Sequence, residues 1–378
     1  MAEKVGLVLS GGGARGAYQV GVIQAIASLL ESWGVKNPFR FYSGVSAGSI
    51  NAAYIASRSD ELSEGAKGLV DIWGQLRSEQ IFRTDAMSLG KIGLKWMGEL
   101  SFGSLTKGSP VKALLDTSPL RQLIDTNFDL TRISRNLEKD VFEALAITGI
   151  DYKDSTAVTF VQSREKHLEW QKPRKISETA VIRAEHLMAS SAIPLLFPPV
   201  AVDNRYFGDG SLRNTHPCSP LIYMGVHKLV IIGVRTQNMT AYDAQSLLDK
   251  NPPSTARVLN VLLNSVLMDG VDLDVERIQK VNETVALIPK SQKDEFPYKH
   301  VDYVWISPSR DIGQIAARKS KHLPKLIRFL IKNLGTLEEA SELVSYLLFE
   351  KEFTHELIEM GFEDGMAAKE NLKKLFQT

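Results

Sequence analysis

The chain has a single cysteine, Cys218, so it forms no internal disulfide and builds no cysteine-rich metal site, and it suits a reducing compartment. Long apolar runs are missing too: nothing approaches the eighteen or so residues of a membrane span. After Lys4 only five or six apolar residues precede Ser10 and Gly11, too few for the apolar stretch of a cleavable signal peptide. No sign of charge dominates. Lys and Arg total 45 against 44 Asp and Glu, a net charge of +1, so bulk electrostatics favour neither nucleic acid nor a strongly acidic partner. Internal repeats, low-complexity linkers and a marked domain boundary are lacking as well. What is left is the composition of a soluble globular protein, and 378 residues suffice for one large α/β domain or two ordinary ones. These absences together lead us to expect a cytoplasmic chain whose membrane contact, if it has any, is peripheral.

The chain is organised around Arg40 to Ala56, R-F-Y-S-G-V-S-A-G-S-I-N-A-A-Y-I-A. Phe39, Phe41 and Tyr42 read as the end of a buried strand, and the alanine-rich run after Gly48 reads as a helix. Strand, G-x-S-x-G and helix in succession is the setting of a nucleophile elbow. The reason is steric: Ser46 would sit on a sharp, strained turn, while Gly44 and Gly48 let strand and helix crowd together. Its hydroxyl then stands at the positive end of a helix, where developing negative charge is stabilised.

Upstream, Lys4 to Leu9 is a short apolar run of the kind that forms a buried parallel strand. It ends in S-G-G-G-A-R-G, Ser10 to Gly16, followed by Ala17 to Trp33 with Val20, Ile23, Ile26, Ala27 and Leu30 at helical spacing. Gly11, Gly13 and Gly16 spell G-x-G-x-x-G, the dinucleotide-binding pattern. That fold wants an acidic residue about 20 positions on, at a strand end. Glu31 lies at the right distance but on the helix, and the second strand runs straight into the elbow. Bare amides at Gly11, Gly12 and Gly13 are better used as an oxyanion hole.

Further along, residues 60–140 read as an irregular helical insertion. It holds Trp73, Phe82, Met87, Trp96, Met97 and Phe102 and is interrupted by Gly90, Gly93, Gly98, Gly103 and Gly108. Aromatics at such spacing are usually core, but beside an active site they could form a lid or lipid-facing surface. Strands are expected at Val141–Ile150, Ala157–Gln162, Lys228–Val234, Thr284–Ile288 and Tyr303–Ile306, with helices from Ala184 to before Pro194 and near Pro217–Met224. After about Asp311 the pattern is helical to the end. His322–Leu334 is amphipathic, with Lys321, Lys325, Arg328 and Lys332 largely opposite its apolar face, as in surface helices or helices lying on anionic membranes. Thr336 and Glu339 form a capping box. His355-Glu356 begins a zincin-like motif, but residue 359 is Glu, so no metal site follows.

A serine hydroxyl needs a base. Only one strand and helix precede the elbow, unlike an α/β-hydrolase. His216 is the one tempting histidine, shortly after Asp209, although a turn or surface role suits it better. Asp209 itself lies in a tight turn, N-R-Y-F-G-D-G-S.

The ordered motifs G-G-G-A-R-G (Gly11 to Gly16), G-V-S-A-G (Gly44 to Gly48), S-A-I-P-L-L-F-P-P (Ser191 to Pro199) and D-G-S (Asp209 to Ser211) resemble those of the patatin-like phospholipase family over about residues 4–310. The resemblance implies a three-layer α/β/α fold with a mainly parallel central sheet. An acyl hydrolase domain would span 1–310, with a C-terminal helical segment, 311–378, packed on it. It also implies Ser46 as nucleophile and Asp209 as base of a Ser–Asp dyad with no histidine. The oxyanion hole would come from Gly11, Gly12 and Gly13, with Arg15, Gly16, Gly44, Gly48 and Gly210 in support. No metal or cofactor is required. One departure stands out: the family usually has Gly or Ala after D-G, and here Ser211 could hydrogen-bond Asp209 and alter its basicity.

A carboxylate of ordinary pKa is a weak base for a hydroxyl, so Asp209 should be desolvated. Esters and thioesters, whose leaving groups need less help than an amine, should be better substrates than peptides. The expected activity is hydrolysis of phospholipid or lysophospholipid acyl esters through an acyl-Ser46 intermediate. The rivals are acyl transfer by the same dyad and a catalytically silent lipid-binding or scaffold protein. Arg15 is expected to serve structure, with a lipid-phosphate role as the minority alternative.

Overall fold

The computed structural model describes residues 4–83, 113–165, 169–213, 216–236, 252–267, 270–292, 296–333 and 335–377. The apolar run after Lys4 becomes β1 (Val5–Leu9), buried along its whole length and flanked in parallel by β2 (Phe39–Val45) and β9 (Lys228–Ile232). The remaining strands are β3 (Ala144–Asp151), β4 (Ala157–Ser163), β5 (Gln171–Lys172), β6 (Lys175–Thr179), β7 (Val200–Val202), β8 (Arg205–Asp209) and β10 (Asp302–Ile306). They form one sheet in the order β10-β9-β1-β2-β3-β4-β6-β5, with β8 on β3 and β7 on β8. From β10 to β3 every pairing is parallel, and the antiparallel pairings begin at β4.

The helices are α1 (Gly16–Ser32), α2 (Ala47–Ser57), α3 (Leu62–Gly74), α4 (Ser118–Asn127), α5 (Thr131–Glu138), α6 (Ala184–Ser190) and α7 (Ser219–Tyr223). They continue with α8 (Thr255–Leu267), α9 (Gly270–Ala286), α10 (Ile312–Lys319), α11 (Lys325–Lys332), α12 (Ser341–Leu347), α13 (Lys351–Ala367) and α14 (Lys369–Gln377). Alternation along the strands divides the core in two. Leu7, Leu9, Leu145, Ile147, Val230 and Ile232 face a large cluster built with α1, α2, α3 and α13. Val8, Ala144, Ala146, Leu229 and Ile231 face a smaller one completed by Leu221 of α7 and Val271, Val275 and Ile278 of α9. The result is the expected three-layer α/β/α arrangement. Near the C-terminus, α13 packs along α1, where Tyr18 Oη donates to Asp364 Oδ2 at 3.0 Å.

One sequence expectation is overturned. Thr284–Ile288 is not a strand: α9 runs on to Ala286, burying Val271, Asp274, Val275, Ile278 and Val285. Packing of Val271, Val275 and Ile278 against the sheet-facing cluster favours the helix, which overrides the β-branched composition of its end. In the 60–140 region Trp73 and Phe82 are core residues. Met87, Trp96, Met97, Phe102 and the five glycines, and with them the lid, lie outside the described residues. The amphipathic stretch appears as α11, which buries Ile327 and Ile331 and leaves Phe329 exposed. The Thr336–Glu339 box forms, each backbone N–H donating to the other side chain at 3.1 Å. Among the described residues no helix is long and apolar enough to cross a membrane.

Candidate active site

The site is made where two strands meet end to end on β3. Strand β2 runs parallel to β3 as far as Val45, which pairs with Thr148. There the chain turns out of the sheet at Ser46. Because β4 occupies the other edge of β3, the vacated place beside Gly149 is taken by β8, arriving antiparallel with Asp209 opposite Gly149. The end of β2 and the end of β8 therefore confront each other. Gly210 makes this closeness feasible, since a Cβ there would stand 2.1 Å from the Thr148 carbonyl oxygen.

Ser46 adopts φ 53° and ψ −132°, a left-handed conformation that a non-glycine residue holds only at a cost of about 1–3 kcal/mol. The surroundings enforce it. Its N–H donates to Ser190 Oγ at 3.0 Å, and that hydroxyl donates onward to the Thr148 carbonyl at 2.6 Å. Helix α2 then starts under β1, and a Cβ on Gly48 would come within 2.4 Å of the carbonyl oxygens of both Leu9 and Ser10. At Gly44 it would meet the Gly48 carbonyl at 2.3 Å.

The Ser46 hydroxyl donates to Asp209 Oδ2 at 2.7 Å. The other carboxyl oxygen, Oδ1, accepts the Ser211 N–H at 2.8 Å, which fixes the group's orientation. Asp209 is 1% exposed and Ser46 3%. Burial pushes the Asp209 carboxyl up to about 6, and the hydrogen bonds from Ser46 and from the Ser211 backbone and hydroxyl pull the other way. The result is a carboxylate of raised basicity that is still ionised at neutral pH.

Gly11 passes directly beside the serine: a Cβ there would lie 3.1 Å from Ser46 Cβ and 2.4 Å from Ser211 Oγ. Among the described residues, the N–H groups of Gly11 and Gly12 donate to no backbone carbonyl. At Gly12 a Cβ would run into Val234, and at Gly16, where α1 begins, into Trp73. Gly13 has φ +56°. Arg15 is ion-paired to Glu342 and donates to Ser345 Oγ at 2.7 Å.

Beside Ser46 opens a narrow cavity of about 40 Å³, lined almost wholly by apolar side chains including Ile50, Trp73, Leu123, Phe128, Phe197 and Phe349. His216 Nδ1 is 2.9 Å from Lys175 Nζ. Three supporting residues escaped the sequence reading. Ser190 holds the Ser46 amide. Gln19 Nε2 donates to the Ser10 carbonyl at 2.8 Å, and Asn51 Nδ2 donates to the Gly16 carbonyl at 3.1 Å, so together they fix both ends of the glycine loop. Trp73 Nε1 completes the chain by donating to Asn51 Oδ1 at 2.9 Å. Asn51 and Gln19 are polar positions inside otherwise apolar helix runs, the one signal that could have flagged them.

A family model described as patatin-like phospholipase matches residues 7–222, more than half of the chain. No curated protein matches. Among solved structures, VipD from Legionella pneumophila is 14% identical, with a TM-score of 0.33, over 81% of this chain and 61% of that one. Human GIVD cytosolic phospholipase A2, in complex with methyl gamma-linolenyl fluorophosphonate, is 12% identical with a TM-score of 0.41, over 100% and 59%. A chain of the SpcU–ExoU complex from Pseudomonas aeruginosa is 17% identical with a TM-score of 0.27, over 77% and 57%. This chain thus covers about three fifths of each of these.

Proposed function

The chain belongs to the patatin-like phospholipase family, and on that footing we propose that it hydrolyses fatty-acyl esters of phospholipids or lysophospholipids on a Ser46–Asp209 dyad. Membership supports lipid acyl hydrolysis in general; the finer reading rests on the 2.7 Å hydrogen bond from the Ser46 hydroxyl to a buried carboxylate. Ser46 Oγ attacks the ester carbonyl carbon while its proton passes to Asp209 Oδ2. The oxyanion is met by the amides of the Gly11–Gly13 loop, already in place and therefore reorganising little. Collapse of the tetrahedral intermediate breaks the ester C–O bond, and Asp209 returns the proton to the departing alkoxide. Water then attacks acyl-Ser46, giving a proton to Asp209, which passes it back to Ser46 as the fatty acid leaves.

The cavity at Ser46 has almost wholly apolar walls, which match the start of an acyl chain better than a peptide backbone, and at about 40 Å³ it must widen to take a whole chain. An ester's alcohol leaves with less help than a peptide's amine, so esters should be the better substrates. The test is release of fatty acid from phospholipid and lysophospholipid micelles. Turnover should vanish in Ser46→Ala and fall by several orders of magnitude in Asp209→Asn, while both variants unfold as cooperatively as the parent chain. Near-normal release by either variant would remove the dyad. Acyl transfer to added alcohols with no free fatty acid would replace hydrolysis by the transferase reading.

A further inference from the structure

The glycine loop is held in place by a helix far outside the matched residues 7–222. Arg15 leaves the loop 2% exposed, and its guanidinium meets one face of α12 at positions i, i+3 and i+4. Nη2 is ion-paired with Glu342, Nε donates to Ser345 Oγ at 2.7 Å, and the guanidinium lies 5.6 Å from the Tyr346 ring centre. From the same turn the Tyr346 carbonyl closes on the loop: a Cβ on Gly13 would stand 2.5 Å from it. Glu342 is itself anchored, its N–H donating to Asn260 Oδ1 of α8 at 2.9 Å.

Such a clamp answers a physical need. Three consecutive glycines have more conformational freedom than any other triplet, whereas oxyanion stabilisation requires donors fixed before the reaction begins. A misplacement of about 1 Å can cost about 100-fold in rate. A buried guanidinium is in turn tolerated only when paired.

We infer that Glu342 is a positioning residue: together with Ser345, and acting through Arg15, it sets the Gly11–Gly13 amides for the oxyanion. The inference rests on the proposed Ser46 chemistry. The full chain is assayed on a p-nitrophenyl ester as Glu342→Ala, Glu342→Gln, Ser345→Ala, Arg15→Ala and the Glu342→Ala/Arg15→Ala double variant. Glu342→Ala should lower kcat about 10- to 100-fold, with KM within about twofold and the acid limb of the pH profile unmoved. Glu342→Gln, whose amide oxygen still accepts from the guanidinium, should recover most of that loss. The double variant should be no slower than Arg15→Ala alone, because the two residues act as one unit. Where Glu342→Ala does not fold, Ser345→Ala decides, with a several-fold fall in kcat at unchanged KM expected. Unchanged kcat in the folded variants, a change in KM alone, or losses that multiply in the double variant would overturn the inference. Ser46→Ala separates the two layers. If it abolishes turnover while Glu342→Ala turns over normally, only the clamp fails; if Ser46→Ala itself turns over normally, both fall.

Discussion

Ser46 donates its hydroxyl hydrogen to Asp209 Oδ2 at 2.7 Å across 163 residues of chain. The contact follows from strand geometry: β2 ends opposite Thr148, β8 ends opposite Gly149, and both lie on the same edge of β3. Neither residue needs a long flexible side chain to reach the other.

Burial raises the Asp209 carboxyl to about 6, and the reaction needs it ionised. Activity should therefore climb through about pH 6 and level off above it, with no second limb from a histidine. The Ser211 hydroxyl is one of the contacts that lower this value. Ser211→Ala keeps the backbone N–H bond but loses that contact, so its acid limb should move upward. A kcat/KM profile against pH for both proteins measures this, and a Ser211→Ala limb at lower pH would contradict it.

The same titration acts on stability. The folded state holds the Asp209 proton more tightly than the unfolded chain, so its contribution is full below about 3.8 and is lost as the pH rises through about 6. The loss at neutral pH is roughly 3 kcal/mol. Asn cannot ionise, so Asp209→Asn should be inactive yet more stable than the parent at pH 7.5, by up to that amount less the altered hydrogen bonds. Urea unfolding at pH 4.5 and 7.5 should show the advantage shrinking toward acid. A difference independent of pH would argue against a desolvated carboxylate.

Ser190 joins the Ser46 N–H to the Thr148 carbonyl. Ser190→Ala leaves a buried donor and a buried acceptor unpaired, at about 1–3 kcal/mol each, and loosens the strained elbow. Thermal unfolding should report the destabilisation, and kcat should fall with little change in KM. A neutral outcome in both would mean the elbow is held by packing alone.

Gly48→Ala tests the crossing under β1. Its Cβ would meet two carbonyl oxygens at 2.4 Å with no flexible side chain to yield. The prediction is a protein destabilised by at least about 3 kcal/mol or recovered only as aggregate. Wild-type stability would mean that strand and helix are not so closely crossed.

Much of this could be read from the residues because it is local. Residues 44–48 announce a turn between strand and helix by their small side chains, and the apolar run of β1 announces a buried parallel strand. The places where the reading ran short depend on distant partners. Nothing near Asp209 says that β8 will fill the position β2 vacates: its pairing with Gly149 of β3 is what brings it to Ser46, 163 residues away. The Thr284–Ile288 run is β-branched and apolar, yet residues 284–286 are the end of α9, whose Val271, Val275 and Ile278 find their partners on the sheet face. Arg15 could be expected to pair near the loop, but Glu342 and Ser345 arrive from more than 300 residues away. Ser190 lies one residue before the Ser191 to Pro199 motif, and its role is visible only once Thr148 stands beside it.

The most direct measurement is the mass of the quenched intermediate. The chain is mixed with a slow ester or a fluorophosphonate, denatured within seconds, digested and examined by mass spectrometry. One adduct is expected, on the peptide carrying Ser46, absent from Ser46→Ala and strongly slowed in Asp209→Asn. Ester turnover with no adduct at Ser46, or an adduct that persists in Ser46→Ala, would contradict it.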